Sequence, residues 1–265
     1  MTKKERGYLT ELYYFALSFF VYGFLGWCTE VAYAAAKQGK FVNRGFLNGP
    51  ICPVYGIGVG VVVQFLTPVE NNLVLLYISS TILVTVIEGI TGFLLEKIFH
   101  NKWWDYSEQP LNIGGYVCVL FSLIWGVFCV LIVKIIHPLI YKVLTMIPLV
   151  LGIVVMACLA VGLLADLYVT ASGILKMNRR LEAMEKIAAE LKELSDKVGE
   201  NIYENVMEGM EFREEKKARI EELKAKYEEM AENRTKVGER LVKAFPKMQV
   251  GQHKEIFEEL PERIK

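Results

Sequence analysis

Charged side chains are sparse over most of this sequence. Residues 1–175 hold only 10 Lys/Arg and 9 Asp/Glu, whereas residues 176–265 hold 20 and 21. Averaged over 265 residues the chain is formally neutral, 53% hydrophobic and of mean hydropathy +0.32, the values of a mildly apolar soluble protein. The uneven distribution argues against that reading. It points to a membrane domain, residues 1–175, followed by a charged tail.

Reactive motifs are missing as well. The five cysteines, Cys28, Cys52, Cys118, Cys129 and Cys158, are odd in number, form no CxxC pair and lie in or beside apolar segments. They read as small buried hydrophobes, not as a disulfide framework or a zinc site. The three histidines are scattered, and neither HExxH nor GxSxG occurs. No GxxxxGK[ST] is present, so the chain has no phosphate-cradling loop for ATP hydrolysis of the usual kind. No cofactor, enzymatic activity or nucleic-acid binding is expected. The start "MTKKERGYLTELYYF" is basic, but no small-residue cleavage site follows. The first apolar stretch therefore reads as a retained membrane segment.

Long apolar runs are what the sequence does have. A span needs about 20 apolar residues, because a helix rises about 1.5 Å per residue across about 30 Å of hydrocarbon. Five candidates appear, at about 12–36, 51–66, 73–99, 116–136 and 147–175, the second short or broken. The basic cluster at 176–180 predicts a cytoplasmic tail, and five spans then put Lys37, Lys40, Arg44, Lys97 and Lys102 on the same side. Lys3, Lys4 and Arg6 conflict with this, since they fall outside. A re-entrant second segment would reverse that conflict by moving Lys37, Lys40 and Arg44 outside.

Past residue 175 the apolar period becomes three to four, from Ile174, Met177 and Leu181 through Val206. A second run from Ile220 to Leu241 follows a break near Gly209 and ends at Pro246. Residues 176–245 are thus predicted to form two long coiled-coil-like helices, as a hairpin or a self-associating stalk. Residues 246–265 are predicted to be a flexible tail. The fold class is all-α: a polytopic helix bundle with a cytoplasmic helical tail.

Four acids lie within or near the apolar runs: Glu30, Glu88, Glu96 and Asp166. A carboxylate at a helix centre costs roughly 2.5 to 3.5 kcal/mol on insertion scales. Glu88 and Asp166, deep in their spans, therefore need a partner, a proton or a polar interior, while Glu96, near the expected cytoplasmic end, can reach water. Glu88, Gly92 and Glu96 step by four along one side of a helix. The stretch "VNRGFLNGPICPVYGIG" (42–58) sets Asn43 and Arg44 beside Pro50 and Pro53, and arginine cannot shed its charge. Such backbone at membrane depth is tolerated only where protein buries it or water lines it. Arg44 is the natural counter-charge for the acids. In "HNKWWDYSEQPLNIGG" (100–115), Trp103, Trp104 and Tyr106 fit an interfacial aromatic belt. Asp105, Asn112 and the Gly114–Gly115 pair instead suggest a structured loop folded back on the membrane surface.

Five ordered motifs, "FLGW..E" (24–30), "FVNRGFLNGPICPVYGIG" (41–58), "EGITGFLLE" (88–96), "WWDYS" (103–107) and "NIGGYVCVLFSLIWG" (112–126), resemble the putative ABC-transporter type IV (CmpB-like) family of bacterial membrane proteins. The resemblance covers about residues 12–170 and includes Trp27, Glu30, Asn43, Arg44, Pro53, Tyr55, Glu88, Glu96, Trp103 and Trp125. It implies a permease-like protein of the bacterial inner membrane, with a separate ATPase subunit as a partner beside the lipid bilayer. The expected site is a polar centre of Glu30, Asn43, Arg44, Glu88 and Glu96, covered by Trp103, Trp104, Asp105, Tyr106 and Asn112. The alternative is a non-transporting scaffold or regulator acting through its tail, which could also join copies into a homo-oligomer.

Overall fold

The computed structural model of the protein describes residues 3–204, 210–232, 235–245 and 249–250. Helix α1 (Lys3–Gln38) runs up the bundle and ends at Gly39. Residues 39–52 are not helical. Helix α2 (Pro53–Leu66) starts at a proline whose fixed φ and missing N–H suit a first helical position. Helix α3 (Leu73–Phe99) is capped by Asn72, whose side chain accepts from Leu75 N at 3.1 Å. It stops at His100 in the left-handed region. Helices α4 (Val119–Leu131) and α5 (His137–Thr145) are joined by a π turn, Ile132–Ile136. Pro138 has no N–H for the carbonyl four residues back, and the π turn absorbs that mismatch.

Helix α6 (Leu149–Glu204) is 56 residues long, about 84 Å at helical rise. Helix α7 (Met210–Glu232) folds back along it and α8 (Lys236–Ala244) follows. Of the five expected spans, four helical stretches are long and apolar enough to cross a membrane: Leu9–Gln38, Leu73–Phe99, Val119–Thr145 and Leu149–Lys197. The remaining one is α2, at 14 residues shorter than a full crossing needs.

Two further ends differ from the sequence reading. The helix expected from Tyr116 starts at Val119, because Tyr116–Cys118 belong to a hairpin of β2 (Asn112–Ile113) and β3 (Val117–Cys118). The last apolar helix continues unbroken past residue 175, since neither proline nor glycine interrupts it between Gly173 and Val198. The α6–α7 pair is an antiparallel hairpin with Ile187, Leu191 and Leu223 at its core and Arg219 bonded to Glu190 at 3.0 Å. Val206, Gly209, Pro246 and most of the 246–265 tail lie outside the described residues.

The apolar helices alternate in direction. Tyr55 of α2 lies over Gly26 of α1, while Phe15 lies over Gly60, which makes the pair antiparallel. Tyr77 reaches the Leu123 carbonyl and Gly92 faces Tyr116, so α3 and α4 are antiparallel too. One end of the bundle holds two packed clusters, Tyr13, Leu17 and Leu144, and Val62, Leu66, Leu76, Cys129 and Val133. The other gathers Phe99, Trp103, Ile174 and Leu241, with residues 39–52, the 100–118 loop and α8. The basic stretches that charge placed on one side thus share an end.

The α1–α2 contact is tight enough to test. A Cβ at Gly56 would lie 2.5 Å from the Phe19 carbonyl oxygen, a backbone atom that cannot swing away. At Gly58 the nearest atom is 3.9 Å distant. Gly56→Ala is expected to cost about 1–3 kcal/mol and Gly58→Ala almost nothing, read by thermal unfolding of the detergent-purified protein.

Candidate functional site

Residues 39–52 descend beside the second half of α1, and three elements supply partners for their backbone. Asn43 does so from within. Its amide donates to the carbonyls of Leu47 (3.5 Å) and Asn48 (2.8 Å), and its oxygen accepts from Gly45 N (3.0 Å) and the Trp27 indole (2.8 Å). Asp166 on α6 accepts from Gly49 N at 2.6 Å, Asn48 N at 3.1 Å and the Asn48 amide at 2.8 Å. Thr170, one turn later, donates to the same carboxylate and accepts from Asn48.

The third partner is Arg240 on α8. Its guanidinium donates to Gly45 O (2.8 Å), Phe46 O (2.8 Å) and Asn48 Oδ1 (3.0 Å), using the fork to hold three acceptors at once. Burial pulls the Arg240 pKa down and nearby Asp166 opposes that, yet arginine stays a cation. Leu241 and Ala244 of the same helix are buried, and Phe245 packs edge-on against Trp103 at 5.2 Å. Beyond it, β4 (Gln249–Val250) pairs with β1 (Asn101–Lys102). The tail is therefore docked on both loops.

Arg44 points the other way. Its Nε lies 3.3 Å from Glu30 Oε2, an ion pair without hydrogen-bond alignment, and its guanidinium stacks over the rings of Tyr33 (5.1 Å) and Phe245 (5.7 Å). Glu30 Oε1 accepts from the Tyr55 hydroxyl at 2.7 Å. Across the cluster, the Tyr106 hydroxyl donates to Glu88 Oε1 at 3.2 Å and lies within electrostatic reach of Glu30 and Tyr55. Burial, then the Glu88 charge, pushes the Tyr106 phenol above its ordinary pKa, so it remains a donor. Phe121 stacks on Tyr106 and Trp125 meets Tyr55 edge-on, walling the cluster from α4.

The 100–118 loop holds Tyr106 in place. Asp105 accepts from Ser107 N (3.0 Å) and Oγ (2.6 Å), and those bonds, aided by Lys102, hold its pKa below the ordinary value. The Asn112 amide donates to Ser107 O and Gln109 O and its oxygen accepts from Gly115 N. Gly115 has φ +75°, and a Cβ there would strike Asp105 and Ser107, so only glycine closes this loop. Trp104 donates its indole N–H to Tyr116 O at 2.9 Å. Trp103 departs from the aromatic-belt reading: it is 6% exposed, packed between Phe46 and Phe245.

Of the expected residues, Glu30, Arg44, Glu88 and Tyr106 come together. Asn43 braces the first loop, and Trp103, Trp104, Asp105 and Asn112 build the second. Glu96 lies two turns along α3 from Glu88, within hydrogen-bond reach of Tyr116. Arg44 faces Glu30 alone among the acids by direct ion pairing in the described residues. Asn48, Tyr55, Asp166 and Arg240 were not among the expected site residues. The Asn48–Gly49–Pro50 turn was a signal for the first, since its free N–H groups demand an acceptor. Nothing local marks Arg240. Replacing it by Gln removes a charge and part of the fork. Amide exchange of residues 236–244 should then speed up about tenfold or more, while α3 exchange stays unchanged.

A family model described as "Putative ABC-transporter type IV" matches residues 17–171. No curated protein and no solved structure matches the chain. The match covers all of the bundle from mid-α1 to mid-α6 and stops short of the tail that docks on it, and the chain is a membrane protein belonging to the putative ABC-transporter type IV family.

Proposed function

We propose that this chain is the membrane-embedded permease subunit of an ABC-type transporter. It works with a separate ATPase subunit and contacts its substrate at the cluster of Glu30, Arg44, Tyr55, Tyr106 and Glu88. One observation carries the reading. Glu88 stands near the middle of apolar α3, and its Oε2 is buried with no hydrogen-bond partner among the described residues. A carboxylate oxygen in that setting needs a donor, a proton or a cation. A substrate group arriving between Tyr106 and the Arg44–Glu30 pair would supply it. The broken backbone of 39–52 beside this cluster is the kind of element that lines transport sites. The family and the missing phosphate loop both favour an energy source on another chain.

The end carrying Arg44, Lys97, Lys102 and the tail would face the cytoplasm of a bacterial inner membrane, by the excess of basic residues there. A second reading, a scaffold or regulator, draws on one feature. From Ile174 to Glu204 α6 runs about 45 Å further, and α7 pairs with it into a coiled-coil-like hairpin whose charged outer faces have room for partners or a second copy.

The two readings separate experimentally. Tagged protein cross-linked in native membranes should bring down an ATP-hydrolysing subunit. The reconstituted pair should show ATPase activity that rises with cell-extract fractions containing the substrate. Glu88→Gln should abolish that rise and leave subunit association intact. Replacing residues 185–232 by a short Gly/Ser linker should change neither. Absence of any ATPase subunit, with other proteins captured only through the hairpin, would reject the permease reading for the scaffold.

A further inference from the structure

The opposite end of the bundle holds a cavity of about 480 Å³ between α1, α2 and α5, within the range of small-molecule sites. Its walls carry a continuous arc of rings. Tyr14 meets Tyr141 at 5.1 Å, Tyr141 meets His137 at 5.9 Å, and His137 stacks on Tyr22 at 6.1 Å. The arc is held in register by the Tyr22 hydroxyl and His137 Nδ1, 2.9 Å apart. The π turn Ile132–Ile136 directly precedes His137 and aims it into this space. Buried Ser18 and Tyr22 form the floor, and exposed Glu11, Gln64 and Tyr141 form the mouth. Glu11 is the one carboxylate of the lining, and neither lysine nor arginine lines it among the described residues.

Ring faces carry negative potential, and a cation within about 6 Å of a centroid is attracted to it. Several such rings with one acid and neither lysine nor arginine in the described lining make a site for positive charge spread over a bulky, weakly hydrated group. From this arrangement we infer that the cavity binds an organic ammonium group, its cationic head against Tyr14, Tyr141 and Tyr22 and its charge balanced by Glu11. The shared chemistry could reach the cavity on a soluble amine or on the headgroup of a lipid lying against α5. The site is distinct from the Glu30–Glu88 cluster at the other end and stands whether or not an ATPase subunit is found.

The test compares choline with dimethylbutanol, its uncharged carbon analogue, on the full chain purified in dodecyl maltoside, by titration calorimetry and by the shift in unfolding temperature. Choline should bind and the neutral analogue should bind roughly tenfold more weakly or not at all. Glu11→Gln and Tyr141→Leu should each weaken choline by about threefold or more. Glu70→Gln, an acid at the same end but outside the cavity, should not. Equal binding of the two compounds, binding of neither, or choline binding untouched by Glu11→Gln and Tyr141→Leu would overturn the inference. The contrast between the two compounds on the unaltered chain holds even if a variant fails to fold. Competition by short-chain phosphatidylcholine, but not phosphatidylglycerol, would assign the ammonium to a lipid headgroup; lack of competition would assign it to a soluble amine.

Discussion

Residues 39–52 impose the constraint on which the rest of this architecture depends. They carry backbone donors and acceptors beside the apolar half of α1, with Cys52 N bonded to Gly23 O at 2.9 Å. Lipid cannot satisfy such groups, so protein must. Asn43 meets part of the demand locally, Asp166 receives the donors of Asn48 and Gly49, and Arg240 supplies donors to the carbonyls of Gly45 and Phe46. A charged residue in an apolar helix and a charged residue in the tail are therefore parts of one answer to a local hydrogen-bonding problem.

That answer also fixes where the charges of the candidate site can go. With Asp166 and Arg240 occupied by the loop backbone, Arg44 is left to Glu30 and the rings of Tyr33 and Phe245. Glu88 is left to a tyrosine. The cluster is thus under-supplied with donors on the α3 side and closed on the tail side by Phe245. Docking of α8 couples the state of the tail to the loop that carries Arg44, because the same helix that grips Gly45 and Phe46 also presents the ring over Arg44.

Much of this was legible in sequence. Apolar runs marked the long helices, since burying about 20 residues in hydrocarbon leaves few compositions open. The Gly and Pro content of 42–58 marked the non-helical stretch, and Pro53 its end. The charge split at residue 175 marked where the family match would stop. The residues Glu30, Asn43, Arg44 and Glu88 stood out because polar groups in apolar surroundings need a reason. Asn48 and Arg240 did not, and Trp103 looked like a belt residue until tertiary packing surrounded it with Phe46, Phe99 and Phe245. The shortness of α2 is legible too, at about residues 51–66 against the observed Pro53–Leu66. Whether it spans or is re-entrant stays open in the sequence, as a Gly/Val-rich run carries no signal for how deep its start lies.

The sequence by itself determined the helical class, the membrane character, the break after α1 and the presence of a fixed positive charge in it. These follow from properties read within one or two turns of chain: hydropathy, period, and the backbone limits of proline and glycine. Only the tertiary structure decided that Arg44 pairs with Glu30, that Asp166 receives Asn48 across 118 residues, and that Arg240 grips Gly45 across 195. Those pairings depend on where helices pack, and no local pattern records which distant group will arrive to complete a hydrogen bond.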